Sequence, residues 1–230
     1  MIPTSVIIPA AGNSSRFGNI PKQLQIIAGK PLIYFSLKEF QINENVESII
    51  IATKKEFIDQ IKKISETYKF NKVKNIIEGG LERQQSVMNA ANFLDNNSEI
   101  ILVHDAARPF ITQEVINLVI SEAYSTGAAI IGLQVNDTIK KVTSDKKINQ
   151  TVDREGMYLA QTPQAFRKDI FQKMKLFVNQ NNFIGTDEAM IAEKLNIFPT
   201  IVNGSALNFK ITKLEDLKIA EKLLELKDKI

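Results

Sequence analysis

Val6-Ile7-Ile8-Pro9-Ala10-Ala11-Gly12-Asn13-Ser14-Ser15-Arg16-Phe17-Gly18-Asn19-Ile20-Pro21-Lys22-Gln23 passes from a short apolar run into small residues and two cations. A β-branched run that ends in small residues reads as a strand entering a turn. Small side chains there let backbone N–H groups approach an anion closely, and successive N–H groups form a concave nest for phosphate oxygens. Arg16 and Lys22 stand beside that nest, where fixed cations can neutralise a polyphosphate and the charge that builds up as it is cleaved. The ordinary alternative is a strand–turn–helix connection with two solvated cations. A Walker loop is excluded, because no Gly-Lys-Ser/Thr follows, and the dinucleotide fingerprint fails because Ser14 occupies the second glycine position.

Outward from this stretch, short apolar runs alternate with amphipathic helical ones. The strand candidates are Val6–Ile8, Ser48–Ala52, Val73–Ile77, Ile100–Val103, Ala129–Gly132 and Thr200–Val202. They are short, continuous and β-branched, as strands covered on both faces tend to be. Pro31 suits the first turn of a helix carrying Leu32, Phe35 and Phe40. Thr112 can cap a helix closed by Gly127, and Thr212 with Glu215 has capping-box spacing ahead of Leu217. Strands alternating with helices imply right-handed crossovers, an α/β class and a mostly parallel sheet flanked by helices. Ligands of such sheets bind beyond the carboxyl ends of the strands.

One segment breaks the alternation. Thr138-Ile139-Lys140-Lys141-Val142, a polar turn at Ser144–Lys147, and Ile148–Val152 read as a hairpin projecting from the sheet. A lone two-stranded hairpin is marginal in water, so this arm, at about 134–156, is expected to pack on a second subunit. Neither linker nor repeat divides the chain, and a single domain over 1–230 is expected.

The composition narrows the function. The 230 residues suffice to bury a sizeable core, and 44% hydrophobic with 24% charged residues is ordinary for a soluble globular protein. A net charge of +3 is too small to argue for nucleic acid or an anionic membrane surface. Cysteine is absent, which excludes disulfides and thiolate chemistry and fits a reducing compartment. His104 is the only histidine, which argues against a histidine-built metal site, and it reads as structural. The first strand follows the N-terminus too closely for a signal peptide, and no apolar run reaches the roughly 18 residues of a membrane span. The expectation is a soluble cytoplasmic protein.

Other constellations fall after the strands. Gly79-Gly80-Leu81-Glu82-Arg83-Gln84-Gln85-Ser86 offers a close backbone approach, a cation and a hydroxyl, or simply opens a helix. His104-Asp105-Ala106-Ala107-Arg108-Pro109 places an acid at a strand end among small residues, which suits a metal ion with phosphate or an Asp105–Arg108 pair in a turn. Asp153-Arg154 and Gln161-Thr162-Pro163-Gln164 sit at the base and exit of the arm. Thr186-Asp187-Glu188 reads as a helix start with acids favoured by the helix dipole, and Lys210 reads alone as a surface lysine.

Together these motifs resemble the 2-C-methyl-D-erythritol 4-phosphate cytidylyltransferases of the non-mevalonate isoprenoid pathway. The series runs in order from Pro-Ala-Ala-Gly, Arg-Phe-Gly and Pro-Lys-Gln through Gly-Gly-x-x-Arg-x-x-Ser-Val, His-Asp-Ala-Ala-Arg-Pro, Asp-Thr-Ile-Lys, Asp-Arg, Gln-Thr-Pro-Gln and Thr-Asp-Glu to Asn-Phe-Lys-Ile-Thr. Ser14 stands where many relatives have glycine, and Leu81 and Gln85 where acids are frequent. The resemblance implies a Rossmann-like nucleotidyltransferase fold, a homodimer joined by the arm, and a reaction of CTP with methylerythritol phosphate that depends on Mg²⁺ or another divalent cation. Ribitol-5-phosphate cytidylyltransferase is the nearest alternative, and a nucleotide-binding module without catalysis is an alternative of another class.

The resemblance also implies residue roles. Arg16, Lys22, Arg154 and Lys210 are the expected catalytic cations. CTP is expected against Ala10, Ala11, Gly12, Arg16, Lys22, Gly80, Arg83, Ser86 and Asp105, with Asp105 also the metal ligand. The polyol phosphate is expected against Asp105, Ala106, Arg108, Thr138, Arg154, Thr162, Thr186 and Lys210. Thr138 and Arg154 would come from the partner's arm.

Overall fold

The computed structural model describes residues 1–12 and 21–227. In chain order the elements are β1 (Thr4–Ala10), β2 (Ile26–Ile27), β3 (Lys30–Pro31), α1 (Leu32–Ile42), β4 (Val46–Thr53), α2 (Ile58–Thr67), β5 (Val73–Glu78), α3 (Arg83–Ala90) and β6 (Ile100–Val103). There follow α4 (Gln113–Thr126), β7 (Ala128–Gln134), β8 (Ile139–Val142), β9 (Ile148–Val152), β10 (Tyr158–Arg167), α5 (Lys168–Asn181), α6 (Glu188–Lys194), β11 (Thr200–Asn203) and α7 (Leu214–Lys227). The main sheet has seven strands in the order β11-β7-β10-β6-β1-β4-β5, parallel except for β10.

Successive side chains of a strand point to opposite faces, so an unbroken apolar run must be covered twice. Val6 and Ile8 with Ile49, Ile51, Ile100 and Leu102 pack under α1, α2 and α4. Ile7, Ile50, Ile101 and Val103 face the other way, under α3, α5 and α6. A smaller cluster seats α7, through Ala220 and Leu224, on Ile27, Leu32 and Ile211. Helix ends follow the sequence at α4, where Thr112 Oγ1 accepts from Val115 N and Gly127 closes the helix at φ 99°. At α7 the expected pairing of Thr212 with Glu215 is replaced. The helix starts at Leu214, which puts Asp216 in the third position, and its Oδ2 accepts from Thr212 N, Thr212 Oγ1 and Lys213 N.

The strand β10 corrects the sequence reading, which took Gln161–Gln164 as the exit of the arm. Pro163 argues against a central strand because it cannot donate to a ladder. The structure accommodates it where the register against β7 shifts between Ala160 and Gln164, an irregularity that frees the proline position from the ladder. β8 and β9 form a separate two-stranded sheet, and Val135 N donates to Met157 O where the arm leaves β7 and β10. Nearly all of the arm is exposed, including Val142 at 53% and Ile148 at 65%.

The chain runs from β1 out to β4 and β5, then returns to β6 on the other side of β1. The crevice beyond the carboxyl ends of β1 and β6 is therefore the topological switch point where such sheets take their ligands.

Candidate functional site

A cleft open to solvent lies at that switch point. Ala10, Ala11 and Gly12 enter it from β1, and Asp105 and Ala106 from the end of β6. Arg83 and Ser86 enter from α3, Lys22 from a 3₁₀ turn at Lys22–Leu24, and Lys210 from the segment before α7. Arg16 lies outside the described residues.

Asp105 is the centre of charge. Its Oδ1 accepts from Arg83 Nε at 2.8 Å and its Oδ2 from Lys210 Nζ at 2.7 Å, with Arg108 Nε 3.9 Å from Oδ2. Burial by itself would raise the Asp105 pKa, but Arg83 and Lys210 outweigh it and hold the carboxyl far below the usual range. Burial would likewise lower the Arg83 value, and Glu188 with Asp105 raises it instead. Asp105 is therefore ionised throughout the physiological range, a carboxylate clasped by cations from α3 and from the segment before α7. Lys22 Nζ donates to Ile211 O at 3.2 Å, one residue beyond Lys210, so the two lysines stand on the same segment's backbone and side chain.

A second layer fixes this arrangement. Asp105 N donates to Thr162 Oγ1 at 3.0 Å. His104 Nε2 lies 3.1 Å from Arg108 O, an acceptor, so Nε2 carries the proton and Nδ1 accepts from the Thr162 hydroxyl at 3.3 Å. Burial lowers the His104 pKa to about 4, which leaves the ring neutral, as its structural reading expected. Arg108 is buried and turned to the segment before α7, where Nη1 donates to Asn208 O at 2.7 Å.

The loop after β5 is equally fixed. A Cβ on Gly79 would stand 2.6 Å from Ala11 Cβ and 2.7 Å from Ser86 Oγ, so only glycine lets this loop close on the end of β1. Ser86 Oγ accepts from Gly80 N at 3.0 Å and donates to Glu82 O at 3.2 Å. Its hydroxyl holds the turn, although the residue lines the cleft. Gln85 has a role that its departure from the acidic pattern concealed: its Oε1 accepts from Leu81 N and Glu82 N within a capping box. Gly80 and Leu81 line a neighbouring hollow that Ala11 shares with the cleft, and Leu81 is 92% exposed.

The remaining candidates lie elsewhere in this chain. Thr162 supports Asp105 from beneath, and Thr186 is exposed ahead of α6, its hydroxyl 3.6 Å from Met190 Sδ. The cap of α6 is Asp187, whose Oδ1 accepts from Met190 N. Thr138 and Arg154 are exposed at the base of the arm, where Arg154 Nη1 donates to Asn136 O. Neither lines the cleft. Sequence reasoning missed Glu188, which it took for a first-turn acid facing the helix dipole. Glu188 is 0% exposed, and Arg83 Nη1 donates to both its oxygens at 2.8 and 2.9 Å. Burial of an acid beside a helix start has no signature in residue spacing.

Asp105 is the only carboxylate among the described residues that line the cleft, and no group of three or more potential ligands forms a metal cage among them. That donor set fits Mg²⁺ brought in with phosphates, since Mg²⁺ is commonly held by one or two carboxylates together with substrate oxygens.

The chain matches the family model IspD: 2-C-methyl-D-erythritol 4-phosphate cytidylyltransferase over residues 4–226. It is 38% identical over 222 residues to the 2-C-methyl-D-erythritol 4-phosphate cytidylyltransferase of Caldanaerobacter subterraneus subsp. tengcongensis, covering 96% of this chain and 98% of that one. Among solved structures, 4-diphosphocytidyl-2C-methyl-D-erythritolsynthase from Anaerococcus prevotii superposes with a TM-score of 0.84 at 28% identity, over 97% of this chain and 96% of that one. The Francisella tularensis 2-C-methyl-D-erythritol 4-phosphate cytidylyltransferase gives 0.81 at 34% identity, over 95% and 98%.

Proposed function

The chain belongs to the 2-C-methyl-D-erythritol 4-phosphate cytidylyltransferase family and transfers a cytidylyl group from CTP to 2-C-methyl-D-erythritol 4-phosphate in isoprenoid precursor biosynthesis, and from that premise we propose how its residues divide the work. The supporting observation is the gathering of Lys22, Arg83, Asp105 and Lys210 in one cleft at the switch point of the sheet.

The cytidine half of CTP lies against Ala10, Ala11 and Gly12 and the Gly80 turn that Ser86 holds. Lys22, with Arg16, binds the triphosphate and stabilises the charge passing to departing pyrophosphate. A phosphate oxygen of methylerythritol phosphate attacks the α-phosphorus of CTP, the new P–O bond forms, and the bond to pyrophosphate breaks. This chemistry needs positioning and electrostatics more than a protein nucleophile, which suits a chain without cysteine. Lys210 holds the incoming phosphate, exchanging its bond to Asp105 for one to the substrate. Asp105 would hold Mg²⁺ together with substrate phosphate oxygens, and the ion would neutralise phosphate charge.

The second phosphate clamp is Arg154 of a partner chain, with Thr138 beside it. The exposed apolar side chains of the arm, Val142 and Ile148, suit burial in a homodimer. Among the described residues no helix is long and apolar enough to cross a membrane. A cytoplasmic location accompanies the reading. The ribitol phosphate alternative is not favoured, since the relatives above act on methylerythritol phosphate by name. Pyrophosphate release tests the whole reading. With CTP and a divalent cation, methylerythritol phosphate should support turnover and ribitol 5-phosphate should not; the opposite preference would refute it.

A further inference from the structure

Glu188 belongs to no part of the mechanism so far, yet it is a fully buried carboxylate one residue removed from the cleft. Its two oxygens take the same Arg83 nitrogen, Nη1, at 2.8 and 2.9 Å, while Arg83 Nε reaches Asp105 Oδ1 at 2.8 Å. The planar guanidinium is thereby pinned by two carboxylates from separate elements, the start of α6 and the end of β6. A buried charge is costly without a partner, and Glu188 has Arg83. The chain on either side of it is held by Gln164, which donates to Asp187 Oδ2 and accepts from Ala189 N, and by Gln84, which donates to Phe183 O and accepts from Gly185 N. The start of α6 is therefore rigidly attached to α3 and β10.

The consequence reaches the cleft. Without Glu188, Arg83 would keep Asp105 as its only ion-pair partner among the described residues and could rotate about its long stem. With Glu188, the Arg83 charge is shared and its direction is set by a residue outside the ligand space. We propose that Glu188 is a positioning residue for CTP: it fixes Arg83, and through Arg83 the orientation of Asp105, so that the nucleotide meets a preformed floor. The inference rests on the reading that Arg83 and Asp105 face CTP.

Calorimetric titration of CTP into the whole protein, with the divalent cation present, tests this alongside steady-state kinetics. Glu188→Gln keeps the size of the side chain and removes its charge. A purely structural loss would lower the active fraction and leave the dissociation constant and both KM values unchanged. The proposal instead expects CTP to bind five- to tenfold more weakly and its KM to rise by the same factor, with KM for methylerythritol phosphate within twofold of normal. Glu188→Asp, which keeps the charge and loses one methylene, should fall between the two. Should Glu188→Gln fail to fold, the paired change Arg83→Met with Glu188→Met removes both charges together and keeps the site testable. Its CTP affinity should equal that of Arg83→Met alone, because Glu188 acts only through Arg83. Unchanged CTP affinity in Glu188→Gln, or a further loss in the paired variant beyond Arg83→Met, would overturn the proposal. Wild-type protein that bound no CTP would instead refute the functional reading beneath it.

Discussion

Lys210 Nζ donates to Asp105 Oδ2 at 2.7 Å, joining the segment before α7 to the end of β6 across the cleft. The same carboxylate holds Arg83 on its other oxygen. One buried acid thus keeps two cations in place until substrate phosphates arrive, and its removal should affect both fold and rate. For Asp105→Asn we expect about 3 kcal/mol less stability, the order of loss seen when one member of a buried pair is removed. Denaturant unfolding measures this, with a pyrophosphate assay beside it showing turnover reduced at least about a hundredfold. An Asp105→Asn protein as stable and as active as wild type would contradict the arrangement.

Lys22 has a different position. It is carried on the 3₁₀ turn, and its Nζ donates to Ile211 O. Lys22→Ala should lose on the order of a hundredfold in kcat, the cost of one cation aimed at developing charge. Near-normal turnover by folded protein would remove Lys22 from the mechanism.

Gly79 offers a purely steric test. The methyl of Gly79→Ala would meet Ala11 and Ser86 at 2.6 and 2.7 Å, so the loop after β5 must retreat from the end of β1. Overpacking of this kind costs about 1–3 kcal/mol. The binding surface for CTP moves with it, and the KM for CTP should rise while that for methylerythritol phosphate stays close to normal. Equal effects on both constants would place the loop elsewhere in the reaction.

His104 gives the protein a pH dependence of known sign. Its folded pKa of about 4 lies below the ordinary value of 6.5, so the unfolded chain binds the proton more readily. The neutral ring's contribution is fully present above pH 6.5 and is lost progressively as the pH falls toward 4. By pH 5 the loss amounts to about 2 kcal/mol. Unfolding free energies of wild type and His104→Gln at pH 7 and pH 5 isolate this part, since the variant lacks the titrating group. Identical pH slopes for the two would contradict the buried neutral ring.

The parts of this site that the sequence displayed are those set by local chemistry. Ala11-Gly12 and Gly79-Gly80 mark where strands end, and Thr112 and Gly127 mark the limits of α4, because turns and caps are decided by a few neighbouring residues. The arm was visible because two short runs, Ile139–Val142 and Ile148–Val152, flank a polar turn. What stayed hidden depends on long-range contact. β10 was obscured by Pro163, which only the register shift against β7 accommodates. Glu188 looked like an ordinary helix-dipole acid until α3 brought Arg83 onto it, and Lys210 looked like a surface lysine until Asp105 met it. Ser86 and Gln85 carry their roles through bonds to the Gly80 turn that residue types alone do not specify.

We propose that one active site is shared between two chains, with Lys210 from one and Arg154 from the arm of its partner. Arg154 lies exposed at the base of the arm and does not line the cleft of its own chain. Mixing the inactive Arg154→Ala and Lys210→Ala proteins, under conditions where subunits exchange, tests this directly through pyrophosphate release. Activity should return, because each heterodimer carries one site with both cations and one with neither. If exchange is demonstrated and no activity appears, the shared site is wrong.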